Sequence, residues 1–517
     1  MTVRFMARGN FNRSANPAKL LTEKASLYEA SLVTYSGFSI TLRNSCRFHP
    51  IPVLLVILIV ACEFTSADVS KTKTSPCALT DAEVAGLNGD ASTNVHAVSD
   101  YSKTIYTLFK AAKFEQLDCL ADSARSHKET FPGGLWKIHA IYSGLARPPL
   151  HPTEEDWVAH IELLQRWVST RPESITARVA LAESYTRYGE DARGTGFADT
   201  VSESGWRLFN ERTAKAKQIL EQASVLSTKD PEWYVAMQDV ALYQSWEPNA
   251  RQALLEQAIK FEPAYYYYYR LYANSILPKW GGEEGEVAEF LQKAADKIGG
   301  DAGDILYFRV AGTLICGCQT DQKLNLSWPR IMRGFDAVEK QNGAAPENWN
   351  LLAHMAISFR DPDVAGKMFT RIGDQWSDNV WQNSPDFESA KQWAKQMAPI
   401  VARKRAAEEP AESNLRTPEG QRYNTAFADQ IHTWMQPCVE ELKGSDLGNF
   451  ELLIKVGKEG TIEEITGGGN SPLMSCLGHK INDFRLSKQA VFPPPPQPDY
   501  WVRYDFNSEN STSASLK

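Results

Sequence analysis

A chain of 517 residues exceeds one ordinary domain, and its 43% hydrophobic and 23% charged content is that of a globular protein with room for several cores. The net charge of −8, with no long run of Lys and Arg, argues against a phosphate backbone as partner, so no nucleic acid is expected. Eight cysteines are too few for a disulfide scaffold but permit one or two bridges in an oxidising compartment.

Residues 1–67 read as a leader. Arg43, Arg47 and His49 precede the apolar run IPVLLVILIVAC at 51–62. That run is shorter than the roughly 20 residues of a spanning helix and contains Pro52, so it fits a signal-peptide core. Its last four residues, Ile59-Val60-Ala61-Cys62, resemble the lipobox of bacterial lipoproteins, which implies lipid attachment at Cys62. Cleavage after Thr65-Ser66-Ala67 gives a soluble exported protein instead, and a third reading keeps the segment as an uncleaved hydrophobic anchor. All three place the body in the periplasm or cell envelope, two of them attached to the membrane. A translation start nearer Leu42 accounts for the long leader. Residues 68–94, rich in Ser, Thr, Asp and Lys, read as a tether.

From 95 to 400 the apolar residues recur at helical spacing. Ile105, Leu108, Phe109, Phe114, Leu117 and Leu120 form a hairpin broken near Lys113. Gly133 and Gly134 interrupt the next stretch, where Trp136, Ile138, Ile141 and Tyr142 pack before Pro148 and Pro149 stop the helix. Thr153 is placed to cap a helix whose stripe is Trp157, Ile161, Leu164 and Trp167. After Pro172, Leu181, Ala182 and Tyr185 fall at the spacing of the first helix of a tetratricopeptide unit, with Ala216, Leu220 and Ala223 on its second. Asp230-Pro231-Glu232-Trp233 opens a further unit, and Leu255, Ala258 and Pro263 close it. The consecutive tyrosines Tyr265 to Tyr269 face all directions of a helix, so some are expected in the core and some at solvent or a groove. Val287, Leu291 and Ala294 mark another second helix, and Trp349, Leu352 and Ala353 with Ala365, Phe369 and Ile372 a last pair. The expected fold is mainly α: a tetratricopeptide-like α-α helical-repeat solenoid.

Three stretches in this body, FPGGLWKIHAIYSGL, RYGEDARGTGFADTVSESGWRLFNERTAKAKQILEQA and LPKWGGEEGEVAEFL, resemble a bacterial family catalogued as domain of unknown function four thousand and thirty-four. The resemblance covers about residues 95–380. It implies no activity and no site residues.

Residues 401–420, charged and containing proline, read as a linker. In 421–507 the period changes. Tyr423, Phe427, Ile431, Trp434 and Cys438 lie on a helix, Phe450, Leu452, Ile454 and Val456 alternate, and Gly457-Lys458-Glu459-Gly460 makes a hairpin turn. Leu473, Cys476, Leu477, Ile481 and Phe484 form a second helix, and FPPPPQP leads into DYWVRYDF. This small α+β module (α-β-β-α-β) resembles the C-terminal domain of TonB-like proteins, which implies a sheet edge open to a peptide strand. Cys438 and Cys476 sit on apolar faces of the helices flanking one sheet and are expected to form a disulfide. Residues 508–517 read as a disordered tail.

No His-Glu-x-x-His, Gly-x-Ser-x-Gly or phosphate-cradling glycine loop occurs, so neither cofactor nor metal is expected. Cys316-Gly317-Cys318 reads as a buried pair, or as one cysteine bonded to Cys119, in preference to a redox site. The long segment 189–211 leaves the repeat geometry. Tyr188, Trp206, Arg207 and Trp280, at this loop and the Trp-Gly-Gly turn, are the expected groove contacts of a non-catalytic scaffold for a protein or peptide. The alternative is a hydrolase at the 189–205 loop, using Asp191, Asp199 and Glu203 as paired carboxylates.

Overall fold

A computed structural model describes residues 77–507 except 150, 317–323, 444, 446 and 470. The chain is mainly helical and ends in a small three-stranded antiparallel sheet. It divides into two compact units: one runs to Phe359 and includes Met368–Phe387, and the other comprises Arg360–Lys367 and the chain from Glu388.

The first unit begins inside the expected tether. Helix α1 (Asp81–Leu87) opens on a reciprocal cap, in which the Thr80 hydroxyl accepts from Glu83 N and the Glu83 carboxylate accepts from Thr80 N. Cys77 is bonded to Cys119, and Leu87 and Ala91 are buried. Residues 77–94 are therefore part of the fold, which corrects the tether expectation for that stretch. The same bond corrects the pairing of Cys119 with Cys316. Cys318 and the Cys316 side chain lie outside the described residues, as do Cys62, the whole leader and the 508–517 tail.

Next come α2 (Ala97–Lys110), α3 (Phe114–Ser126) and α4 (Lys137–Leu145). Thr153 and Asp156 form a second reciprocal cap at the start of α5 (Glu154–Thr170). Helix α6 (Ile175–Arg193) and α7 (Glu203–Ala223) make a long antiparallel pair, followed by α8 (Pro231–Tyr243) and α9 (Pro248–Phe261). Then follow α10 (Tyr267–Ser275), α11 (Glu286–Ile298), α12 (Gly300–Cys316), α13 (Trp328–Asn342), α14 (Pro346–Ser358) and α15 (Pro362–Ile372). Most neighbours in sequence pack together, and α4, α6, α8, α10, α12 and α14 also touch one after another.

Two features of this unit depart from the sequence reading. None of Tyr265 to Tyr269 reaches solvent. The run straddles the entrance to α10, with Tyr265 and Tyr266 ahead of the helix and Tyr267 to Tyr269 in its first turn. The hydroxyls find internal acceptors: Tyr265 on Glu232, Tyr266 on Tyr267, Tyr268 on the Glu262 carbonyl and Tyr269 on the Pro263 carbonyl. The second feature is that the turn between α3 and α4 meets α12, α13 and α14, far along the chain. The Gly133 carbonyl accepts from the buried Arg309 guanidinium and from Asn348 Nδ2 at 3.0 Å, and Gly133 N donates to the Asn342 carbonyl at 2.9 Å. Gly133 has φ +84°, and a Cβ there would lie 2.5 Å from Ala345, so only glycine makes this approach without displacement.

In the second unit, α16 (Ser384–Leu415) carries Pro399 and Pro410 inside it, and residues 401–415 are helical where a linker was expected. Burial overrides composition here. Ala407 and Ala411 pack on Leu453 and Trp501, and Lys404 Nζ pairs with Glu451 at 2.6 Å. Helix α17 (Pro418–Glu441) starts at a Thr417 cap. The expected order then appears: β1 (Phe450–Val456), β2 (Ile462–Gly469), α18 (Pro472–Ser487) and β3 (Tyr500–Phe506). The sheet order is β2-β1-β3, with Leu452 between Gly467 and Tyr504. Phe450, Leu452, Ile454 and Val456 join the core beneath α17 and α18, while Leu453 faces α16. Cys438 and Cys476 are disulfide-bonded, as their helical faces require.

Candidate functional site: an enclosed charged face on α6, α8 and α10

The residues chosen from the sequence do not assemble into one surface. Tyr188 is only 7% exposed. Its ring stacks on Trp157 and lies 3.1 Å beneath the Arg212 guanidinium, and its hydroxyl donates to Glu154, so it is closed to a partner. Trp206 is half-buried, donates from Nε1 to the Ala198 carbonyl and packs under Arg193, which holds the loop onto α7. Arg207 is exposed and pairs with Glu211. Trp280 is 46% exposed in the turn between α10 and α11, away from the α6–α7 pair that carries the other three. Asp191, Asp199 and Glu203 are all exposed, at the end of α6, in a short turn and at the start of α7.

A different set converges in the interior of the first unit. Glu183, Arg187 and Glu190 recur at four and three residues on α6, so they form one stripe. Glu232 and Asp239 stand two turns apart on α8, and Tyr267 and Arg270 lie on α10. Arg187 Nη1 donates to Glu190 at 2.9 Å, and its Nη2 lies 3.7 Å from Asp239. Tyr243 donates to Glu190. His139, from α4, has Nδ1 2.5 Å from Glu232 Oε1, and its ring stacks on Tyr267 at 3.6 Å. Arg270 sits over the other part of this aromatic pair, 5.3 Å from the Tyr267 ring centre.

Burial and charge act together on this stripe. Desolvation holds the Glu183 carboxyl well above the usual carboxylate range, and the nearby carboxylates of Glu232, Asp239 and Asp230 push it further. Burial pushes Asp239 up to about 6, with Arg187 opposing. Glu190 holds the Arg187 guanidinium firmly protonated. Glu183 is only half-buried and the Arg187 side chain keeps 38% of its surface, so both reach solvent from α6.

His139 and Glu232 make an oriented imidazole–carboxylate dyad, but no hydroxyl or thiol bonds to its Nε2 among the described residues. No cluster of three metal-ligating side chains occurs among the described residues. The arrangement brings charges of both signs together on α6, α8 and α10. No family model, curated protein or solved structure matches the chain.

Sequence reasoning missed this set because it sought aromatics at the long loop. A weak signal was present: Glu183, Arg187 and Glu190 interrupt a helix whose other positions are chiefly small or apolar, and Gln238-Asp239 does so in α8.

Proposed function

We propose that this is a non-catalytic scaffold of the bacterial cell envelope, which binds a protein or peptide along the face formed by α4, α6, α8 and α10. The observation that carries the reading is the pair Glu183 and Arg187, charged groups on α6 that keep exposed surface beside Glu190 and Asp239. Stacked hairpins extend such a face without changing their core, as in a tetratricopeptide-like solenoid. The resemblance of 421–507 to TonB-type C-terminal domains, which implies a sheet edge open to a peptide strand, supports a binding role. Two disulfides support an oxidising, exported compartment. Attachment through a lipid on Cys62 or a hydrophobic anchor would hold the scaffold at the membrane.

The test is charge reversal in cells. Adducts are recovered from cross-linked envelopes of cells making the wild-type chain, Arg187→Glu or Arg207→Glu, with circular dichroism confirming that each is folded. A partner lost only with Arg187→Glu supports the proposal. An identical set of adducts from all three chains refutes it.

A further inference from the structure

The first unit is entered through a strap, residues 77–94, whose only regular element is α1. With 7 residues α1 falls short of the roughly 12 that an isolated helix needs in water, so its order depends on what fastens it. Glu83 pairs with Lys113, but both side chains are partly exposed, and such a pair holds little by itself. Leu87 and Ala91 are buried. The covalent tie is the bond from Cys77 to Cys119 on α3, across a sequence separation of 42 residues.

The two disulfides differ in access. Cys77 and Cys119 both keep exposed surface, whereas Cys438 is fully buried and Cys476 packs against the core of the second unit. Exchange requires a thiolate to reach a sulfur of the bond, so Cys77–Cys119 is the one a dissolved thiol meets first. The strap also closes a crevice. Ala91 and Asn94 line it together with Gly133, Ala345, Glu347 and Asn348, where the turn between α3 and α4 meets α14. With the strap in place Ala91, Ala345 and Asn348 are all buried.

We propose that Cys77–Cys119 is a thiol–disulfide exchange site: a dithiol opens it, the strap leaves the body, and the seam beside Gly133 and Asn348 is uncovered. One thiolate of the dithiol attacks a sulfur of the bond, and the other sulfur leaves as a thiolate and takes a proton from water. The second thiol of the dithiol then resolves the mixed disulfide. Two electrons and two protons pass to Cys77 and Cys119, and the dithiol closes to its own disulfide. What then remains on α1 is an exposed ion pair and two small buried contacts, too little to keep so short a helix in place.

The experiment treats the full chain with increasing dithiothreitol, traps free thiols with N-ethylmaleimide, and follows hydrogen exchange on the same samples. Cys77 and Cys119 should be trapped at about one tenth of the dithiothreitol that Cys438 and Cys476 require. Over that range peptides from 81–94 should exchange about tenfold faster, peptides from 131–136 and 345–350 should follow, and α7 peptides should not change. A chain carrying Cys77→Ser and Cys119→Ser should show the same pattern without dithiothreitol; if it fails to fold, the wild-type titration decides alone. Simultaneous trapping of all four cysteines overturns the exchange site. Trapping of Cys77 and Cys119 while 81–94 stays protected overturns the release. A strap that exchanges beside an unchanged 131–136 and 345–350 overturns the uncovering of the seam. Faster exchange in α7 as well marks unfolding of the whole unit and overturns the switch.

Discussion

Replacing Asp230 by Ala should destabilise the first unit more than any other single truncation discussed below. The Asp230 side chain is fully buried, and its two oxygens do separate work. Oδ1 accepts from Glu232 N at 2.9 Å and caps α8, and Oδ2 accepts from Tyr142 OH at 2.7 Å and from Arg125 Nε at 2.8 Å. Loss of the cap alone costs about 1 kcal/mol. Leaving the buried Tyr142 hydroxyl unpaired costs roughly 1–3 kcal/mol. Stranding Arg125, whose side chain is 10% exposed, costs about 3–5 kcal/mol as an uncompensated buried charge. These contributions overlap, because Arg125 still reaches Asp122 and Thr176, so the total should be about 4 kcal/mol and not their sum. Asp230→Asn keeps a capping oxygen and should lose about half as much. Urea titration followed by hydrogen exchange reads this directly, with peptides from α4, α6 and α8 as the report and peptides from 450–506 as the internal reference. A loss below about 1 kcal/mol for Asp230→Ala would show that this carboxylate does not tie α4 to α8.

Other outcomes follow from the same geometry. Burial raises Asp239 to about 6, so the folded chain binds more protons than the unfolded chain between roughly pH 4 and 6, and this group makes stability fall as pH rises through that window. His160 has the opposite sign. Burial depresses it to about 4, so its contribution is present above about pH 6.5 and is lost as pH falls toward 4. Comparing Asp239→Asn with wild type by denaturation at pH 4, 5 and 6 should remove the falling part, and a histidine NMR titration should find His160 neutral at pH 5.5. An unchanged pH profile in Asp239→Asn, or a His160 midpoint near 6.5, contradicts these assignments. Replacing Cys438 and Cys476 by Ala opens a loop of 38 residues and should cost the second unit about 3–4 kcal/mol, read by urea unfolding of that unit. Gly460→Ala should lower that unit's melting temperature. Its φ is +79°, a Cβ would lie 1.9 Å from the Phe492 carbonyl oxygen, and its own carbonyl accepts from Val491 N and Phe492 N. A melting curve unchanged from wild type would remove that turn from the account.

How far the sequence could be read depended on the range of the interactions. The stripe Trp157, Ile161, Leu164 and Trp167, the Thr153 cap and the alternation of β1 are local patterns, and each appears where expected. The Cys438–Cys476 bond was legible because both residues sit on recognisable apolar faces. The Cys77–Cys119 bond was not, because Cys77 lies among Ser, Thr and Lys in a stretch with the composition of a tether. Pro410 and its charged neighbours read as a linker until Leu453 and Trp501 were placed beneath Ala407 and Ala411. The candidate face was hidden for the same reason. Glu183 and Arg187 look like ordinary solvated charges, and only the arrival of Asp239 from α8 and Glu232 beside His139 turns them into an enclosed cluster. Aromatic residues at glycine-rich turns drew attention instead, but Tyr188 is occupied by Trp157 and Arg212.

The central claim, that a partner enters along the face formed by α4, α6, α8 and α10, is tested most directly by placing a photocross-linking amino acid at the exposed position 143 on α4, one helical turn from His139, and, as a control, at the exposed position 215 on α7. Irradiation of cells carrying each chain should give a discrete adduct from position 143 that is absent from position 215. Adducts of equal yield from both positions, or one from position 215 alone, would contradict it.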